Sequence, residues 1–194
     1  MPLDSPSFSV ENAWLLGARH QPSPNFDERP PNTQVDLLVI HNISLPPNKF
    51  VGEYIEDFFL NRLDCSLHPY FEQLKTLRVS SHLLIRRDGE VVQFVPFDKR
   101  AWHAGASSFQ GRSRCNDFSI GIELEGADDI PYEAEQYLQL VKITQALMNA
   151  YPGIVSRHIV GHSEIAPGRK TDPGNAFDWR HFFNVLAKAK GSAE

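Results

Sequence analysis

Residues 119–125 read SIGIELE, and this heptapeptide gives the clearest strand signal in the chain. Its apolar side chains at positions 120, 122 and 124 alternate with a glycine and two glutamates, which is the period of two that β-strands show. We predict that the apolar side chains face the core. The other face carries Glu123 beside Gly121, and a carboxylate there costs free energy unless it is paired or functional. Glu123 is therefore either part of a salt bridge on a half-exposed strand or a functional group.

The segments on either side predict further strands and helices. Residues 35–40 (VDLLVI) form a β-branched apolar run that is typical of a buried strand ending at His41-Asn42. Asp88-Gly89 predicts a hairpin between strands at 82–87 and 90–95. Other periodic stretches predict helices near 50–59, over 131–150 and from about 178, and a short strand near 157–161. The segments predicted to be irregular are 21–32, 61–80, 98–118 and 162–176.

The order of these elements predicts an α/β (α+β) fold with a mixed central β-sheet flanked by helices. The chain has 194 residues, of which 41% are hydrophobic and 22% charged, and this predicts one domain over residues 1–194. Its core is expected at about residues 10–187, between short flexible tails. We expect a monomer.

The charge and the N-terminal sequence restrict the class of partner and the compartment. A formal net charge of −5 argues against nucleic acid and anionic membranes as partners. The N-terminal MPLDSPSFSV lacks the features of a secretory signal, and no apolar run approaches the ~20 residues of a membrane-spanning helix. These features predict a cytoplasmic location, and in a reducing cytosol Cys65 and Cys115 are expected to be free thiols.

Two histidines and an aspartate form a candidate metal set. His41 ends a predicted buried strand, His162 follows another, and Asp172 lies ten residues further on. Two imidazoles and one carboxylate are a common catalytic zinc set that leaves one position open. The alternative pair of His158 and His162 has helical ligand spacing, but the intervening residues favour a strand, which would hold the two residues about 13 Å apart. On spacing alone Zn²⁺ is therefore a candidate cofactor, and a satisfied core or loop histidine is the alternative for His41.

Two further residues have the chemistry to complete a hydrolytic site. Glu123 is a candidate general base that takes a proton from water. Lys170, two residues before Asp172, is a candidate cation for a developing oxyanion.

Several segments carry a family resemblance, namely residues 39–47 (VIHNISLPP), 68–71 (HPYF), 101–105 (AWHAG), 115–126 (CNDFSIGIELEG) and 165–174 (IAPGRKTDPG). They resemble N-acetylmuramoyl-L-alanine amidases, the family related to phage T7 lysozyme and to peptidoglycan recognition proteins. The similarity runs in order from about residue 10 to residue 185. It implies the mixed-sheet fold of that family.

The resemblance also implies roles for individual residues. His41, His162 and Asp172 fall on the zinc ligands of the family, Glu123 on its catalytic glutamate and Lys170 on its assisting lysine. The positions that it associates with the substrate cleft are Asn42, Tyr70, Arg78 and Arg114. The implied substrates are cytosolic 1,6-anhydro-muropeptides, cut between the muramic acid and L-alanine during peptidoglycan recycling. Removal of these fragments would also restrain β-lactamase induction.

Three other functions remain open at this level. A non-catalytic peptidoglycan-binding module would share the fold but lack a metal ligand. A glycosidase would use Glu123 and Glu125 as its two carboxylates and need no metal. A periplasmic amidase of the same family would act on the intact wall.

Overall fold

A computed structural model describes residues 8–191 of the chain. The predicted flexible tails fall mainly in residues 1–7 and 192–194, which lie outside the described residues. The strands are β1 (Ser9–Glu11), β2 (Trp14–Leu16), β3 (Arg19–His20), β4 (Phe26–Glu28), β5 (Leu37–Ile43), β6 (Leu83–Ile85), β7 (Val91–Gln93), β8 (Lys99–Ala101), β9 (Ser108–Phe109), β10 (Arg112–Ser113), β11 (Ser119–Glu125) and β12 (Ile159–Gly161). The α-helices are α1 (Tyr54–Phe59), α2 (Ala134–Ala150), α3 (His162–Ile165) and α4 (Trp179–Gly191). Short 3₁₀ helices span Cys65–Leu67, Pro69–Leu74, Cys115–Asp117 and Ser156–His158.

The main sheet has six strands in the order β12-β5-β11-β6-β7-β3. The first four are parallel to one another, and β7 runs antiparallel to β6 in the hairpin predicted at Asp88-Gly89. The predicted mixed central sheet is therefore confirmed.

Helices and apolar segments cover both faces of this sheet. Apolar side chains of α2 and α4 pack on one face against β5 and β11, in the cluster that contains Ile40, Ile122 and Leu140. On the other face, α1 and the segment of residues 61–80 pack over β6 and β7 around Phe59 and Phe71. The strand β11 thus lies inside the protein on both faces, and all seven of its residues are buried.

Three sequence expectations are corrected by this arrangement. The half-exposed strand considered for Glu123 is wrong, because β11 is a central strand flanked by β5 and β6. The strand predicted from residue 35 to its end at His41-Asn42 instead spans Leu37–Ile43, so His41 lies within it rather than at its end. The segment 21–32, predicted as irregular, contains β4, which pairs with β8.

The buried residue His82 connects the sheet to a neighbouring strand through hydrogen bonds of both its ring nitrogens. The backbone N–H of Gly121 donates to Nδ1 of His82 over 3.0 Å, and Nε2 lies 3.1 Å from the carbonyl oxygen of Lys99. Burial, reinforced by the positive charge of Arg29, lowers the pKa of His82 from 6.5 to about 3. The folded state therefore keeps this ring neutral at pH values where the unfolded chain binds a proton.

Acidification should weaken the fold through this residue. Because the unfolded state binds the extra proton, the stabilisation is complete above pH 6.5 and is lost as the pH falls toward 3. Between pH 6.5 and 4.5 we expect His82 alone to lower the free energy of unfolding by about 2–3 kcal/mol, measured by urea unfolding with a metal chelator present. The variant His82→Asn keeps an acceptor for the Gly121 N–H but does not titrate, so its pH dependence should be shallower. Equal slopes for the two proteins would contradict the assignment.

Candidate metal centre and active site

The parallel strands place three functional side chains in one row across the sheet. Glu123 on β11 is in register with His41 on β5. Gly161, the last residue of β12, is in register with Ile40, so the next residues along the two chains are His162 and His41. Residues in register on parallel strands project from the same face about 4.8 Å apart. The sheet therefore brings together side chains that the sequence separates by up to 121 positions.

The predicted metal ligands converge on one point. Nδ1 of His41 lies 3.0 Å from Nδ1 of His162 and 2.9 Å from Oδ2 of Asp172. Nδ1 of His162 lies 3.0 Å from the same carboxylate oxygen. Around a tetrahedrally coordinated ion with bonds of ~2.0 Å, the ligand atoms lie ~3.3 Å apart, which is close to the three distances between these atoms. Two imidazole nitrogens and a carboxylate oxygen are also the donor types that zinc accepts, so the residues fit such an ion.

Hydrogen bonds behind the two imidazoles aim their Nδ1 atoms at this point. When Nδ1 of His162 binds a metal, the ring proton is on Nε2, which lies 3.1 Å from the carbonyl oxygen of Ala104, an atom that only accepts. Nε2 of His41 lies 2.9 Å from Nδ1 of His103. Neither His103 nor Ala104 was assigned a role from the sequence, because both lie in the loop after β8, which only the tertiary fold brings beneath the ligands.

The loop that carries Asp172 is tied to the sheet by its backbone. The N–H of Ser163 donates to the carbonyl oxygen of Asp172 over 3.0 Å. The carbonyl oxygen of Pro173 accepts from Nδ2 of Asn42 and from the hydroxyl of Tyr132, at 3.1 and 2.7 Å. At Gly174, where φ is +81°, a Cβ atom would lie 2.1 Å from the Cα of Asp128, so a side chain there would displace the loop.

Electrostatics in the ligand set favour an ionised Asp172 beside a neutral His41. Burial lowers the pKa of His41 to about 4, although the hydrogen bond to Asp172 acts in the opposite sense. Burial raises the pKa of Asp172, but the hydrogen bonds with His162 and His41 outweigh it and hold this pKa well below its usual range. Neutral imidazole nitrogens and an ionised carboxylate are the states that bind a metal.

Glu123 is an unpaired buried carboxyl group next to this set. Its side chain is buried, and Oε2 has no hydrogen-bond partner among the described residues. Burial and the negative charge of Asp172 raise its pKa well above the usual value, while Lys170 acts in the opposite sense. A carboxyl group with a raised pKa beside a metal set is suited to accept and return a proton.

A cleft of about 420 Å³ opens over these groups. The predicted residues Asn42, Tyr70 and Lys170 line it together with the ligand set and Glu123. Arg78 lines an adjoining depression of about 480 Å³. Phe58 and Leu77 line both this depression and the cleft.

Arg114 and Asn42 have other partners in the structure. Arg114 is exposed, forms an ion pair with Asp117 at 3.3 Å and is not among the residues that line the cleft. Both hydrogen bonds from Nδ2 of Asn42 go to the protein, to Asp128 at 2.8 Å and to Pro173. The roles of Asn42, Tyr70, Arg78 and Arg114 in substrate binding stay predictions.

The two alternative sites considered from the sequence do not form. Glu125 is buried away from the cleft, where one of its oxygens accepts from the backbone N–H of Arg87 at 3.1 Å. It therefore does not face a shared substrate with Glu123, as a glycosidase would require. His158 points to the carbonyl oxygen of Gly153 and lies outside the ligand set, so its pairing with His162 is ruled out as expected.

Comparisons with known proteins agree with this geometry. Residues 31–175 match the family model described as Amidase_2, N-acetylmuramoyl-L-alanine amidase. The curated 1,6-anhydro-N-acetylmuramyl-L-alanine amidase AmpD of Escherichia coli (strain K12) is 56% identical over 92% of this chain and 97% of its own length. A crystal structure of a selenomethionine AmpD derivative is 56% identical, with a TM-score of 0.88, and the match covers 91% of this chain and 98% of that one.

A more distant structure contains a ligand. The amidase AmiD from E. coli, solved with the substrate anhydro-N-acetylmuramic acid-L-Ala-D-gamma-Glu-L-Lys, is 28% identical with a TM-score of 0.56. That match covers 92% of this chain and 65% of the AmiD chain. These structures confirm the predicted amidase fold. With its family match over most of the chain and a ligand set assembled on the sheet, the protein belongs to the N-acetylmuramoyl-L-alanine amidase family.

Proposed function

We propose that this protein is a zinc-dependent amidase of peptidoglycan recycling. It hydrolyses the amide bond between 1,6-anhydro-N-acetylmuramic acid and L-alanine in soluble muropeptides. The observation that carries the proposal is the convergence of His41, His162 and Asp172 beside the unpaired carboxyl group of Glu123. The similarity to AmpD over nearly the whole length of that protein supports the choice of substrate.

The ligand set would hold the ion through the Nδ1 atoms of His41 and His162 and a carboxylate oxygen of Asp172. A zinc ion held there supplies Lewis acidity toward a carbonyl oxygen and toward water. The neutral imidazole of His41 needs no deprotonation before it binds the ion.

Glu123 carries the proton through the reaction. Its carboxylate accepts a proton from the attacking water as the water oxygen bonds to the amide carbonyl carbon. The amide C–N bond then breaks, and Glu123 returns the proton to the nitrogen of the leaving alanine. Burial of Glu123 supports this role, because a carboxylate with a raised pKa accepts a proton more readily than an exposed one. Lys170 lines the same cleft and places a positive charge near the oxygen that becomes negative.

Residues around the cleft recognise the two halves of the substrate. Tyr70 and Asn42 contact the sugar or the first residue of the stem, since both line the cleft over the ligand set. Arg78 in the adjoining depression, and Arg114, bind carboxylates of the stem peptide, which guanidinium groups recognise with two parallel hydrogen bonds.

A cytosolic monomer is the form that we propose for the active protein. Among residues 8–191, none of the helices is both long enough and apolar enough to span a bilayer. By consuming soluble wall fragments that act as inducers, the enzyme restrains β-lactamase induction where that circuit exists.

The decisive experiment is release of free stem peptide from purified 1,6-anhydro-N-acetylmuramyl tripeptide. Release should be abolished by a zinc chelator and restored by added zinc, and intact sacculi should be barely attacked under the same conditions. The variant Glu123→Gln, purified in parallel, is the control for contaminating amidases. Chelator-resistant release of sugar, binding without release, or faster attack on sacculi would each refute the proposal, in favour of a glycosidase, a recognition module or a wall amidase respectively.

A further inference from the structure

His103 lies directly behind one of the proposed zinc ligands. Its Nδ1 lies 2.9 Å from Nε2 of His41, and the two rings meet edge to face with centroids 5.0 Å apart. Its Nε2 lies 3.1 Å from the hydroxyl oxygen of Ser119. A chain of hydrogen bonds thus runs from the ligand through His103 to the first residue of β11.

A glycine makes the space for this ring. Gly121 lies two residues before Glu123 on β11 and therefore on the same face of the strand. A Cβ atom at position 121 would lie 2.5 Å from Nδ1 of His103 and 2.6 Å from its Cγ, distances that no side chain accepts. The ring of His103 therefore occupies the position that any other residue type at 121 would fill.

The two histidine ligands are held by partners of different kinds. His162 faces the carbonyl oxygen of Ala104, which accepts whatever the surrounding side chains are. His41 faces an imidazole nitrogen, which either accepts or donates according to its tautomer. When Nδ1 of His41 binds a metal, the one proton of its neutral ring is on Nε2 and needs an acceptor. In the part of the chain that the structure describes, Nδ1 of His103 is the atom placed to accept it.

We infer that His103 is a positioning residue for the zinc ligand His41. His103 carries its own proton on Nε2, donates it to Ser119 and accepts the N–H of His41 on Nδ1. This arrangement fixes the ring of His41 with Nδ1 directed at the metal position. Partners behind metal-binding histidines orient the ring and raise its basicity. The inference rests on the zinc site of the proposed function.

Two variants of nearly the same shape separate the hydrogen bond from packing. In His103→Asn the amide oxygen takes the place of Nδ1 and accepts from His41. In His103→Leu a methyl group stands there instead. Both variants lose the bond to Ser119 and leave similar space unfilled, so a purely structural role predicts equal effects.

Zinc affinity, measured by competition with a chromophoric chelator, is the readout for these variants. We expect His103→Leu to bind zinc about 10- to 100-fold more weakly than the unmodified protein and His103→Asn to lose much less. Thermal unfolding of the metal-free proteins shows whether each variant folds. Equal zinc affinities for the two folded variants, whether lowered or unchanged, would overturn the inference.

A measurement on the unmodified protein covers the case in which the leucine variant does not fold. In the zinc-loaded, ¹⁵N-labelled protein, a scalar coupling across the hydrogen bond should connect Nε2 of His41 with Nδ1 of His103, with the proton on His41. A proton on Nδ1 of His103 would overturn the inference while leaving zinc binding intact. Failure of the unmodified protein to bind zinc at all would instead refute the proposed function, and this inference with it.

Discussion

Replacement of Glu123 by glutamine is expected to reduce kcat by about 10²- to 10⁴-fold, the range over which general acid–base groups contribute. Glutamine has the same shape but cannot accept the proton of the attacking water. The zinc content should not change, because Glu123 is not part of the ligand set. The fold should also persist, since a neutral side chain suits a buried site where burial already raises the pKa of the carboxyl group.

Steady-state cleavage of 1,6-anhydro-N-acetylmuramyl tripeptide, together with zinc analysis of the same samples, tests this expectation. KM should change far less than kcat, because Glu123 acts on the reacting atoms and not on the rest of the substrate. A zinc-loaded Glu123→Gln enzyme with a rate within a few-fold of the unmodified protein would remove Glu123 from the mechanism.

Replacement of His162 by alanine should abolish zinc binding, and activity with it. The variant loses one of three ligands. Its zinc affinity should therefore fall by more than ~100-fold, which is the largest loss expected when only a hydrogen-bond partner of a ligand is removed. Added zinc should raise the melting temperature of the unmodified protein, because an ion that binds only the folded state stabilises it, and should leave that of the variant unchanged.

His158→Ala is the matched control for this experiment. His158 lies four residues earlier, and its Nδ1 faces the carbonyl oxygen of Gly153 instead of the ligand set. The His158→Ala variant should retain both zinc and activity. Zinc retained by His162→Ala, or lost by His158→Ala, would contradict the ligand assignment made from the fold.

The strands and long helices that carry strong local patterns were predictable from the sequence. The predicted bounds of the strand over SIGIELE agree with β11, and the Asp88-Gly89 turn joins β6 and β7. The long helix was expected over 131–150 and begins at Ala134. The short strands β1 to β4 were not predicted, because each has two or three residues and depends on pairing rather than on a local pattern.

The environment of Glu123 was not predictable from its own strand. Alternation along SIGIELE indicated one apolar and one polar face, which is the pattern of a half-exposed strand. The polar face is buried because His103 and the loop of Asp172 lie over it, and these segments come from positions well before and well after β11. An unpaired buried carboxyl group is therefore a product of the tertiary structure.

The sequence by itself determined the residue types of the site, the mixed sheet and, through its resemblance, the family. His41, His162 and Asp172 were identified as ligands because these types bind zinc and match that family. The tertiary structure alone decided that the three ligand atoms lie about 3 Å from one another although 131 positions separate His41 from Asp172. It also decided that His103 stands behind His41. The physical reason is that parallel pairing aligns distant strands in register, whereas sequence patterns report only which face of its own element a side chain occupies.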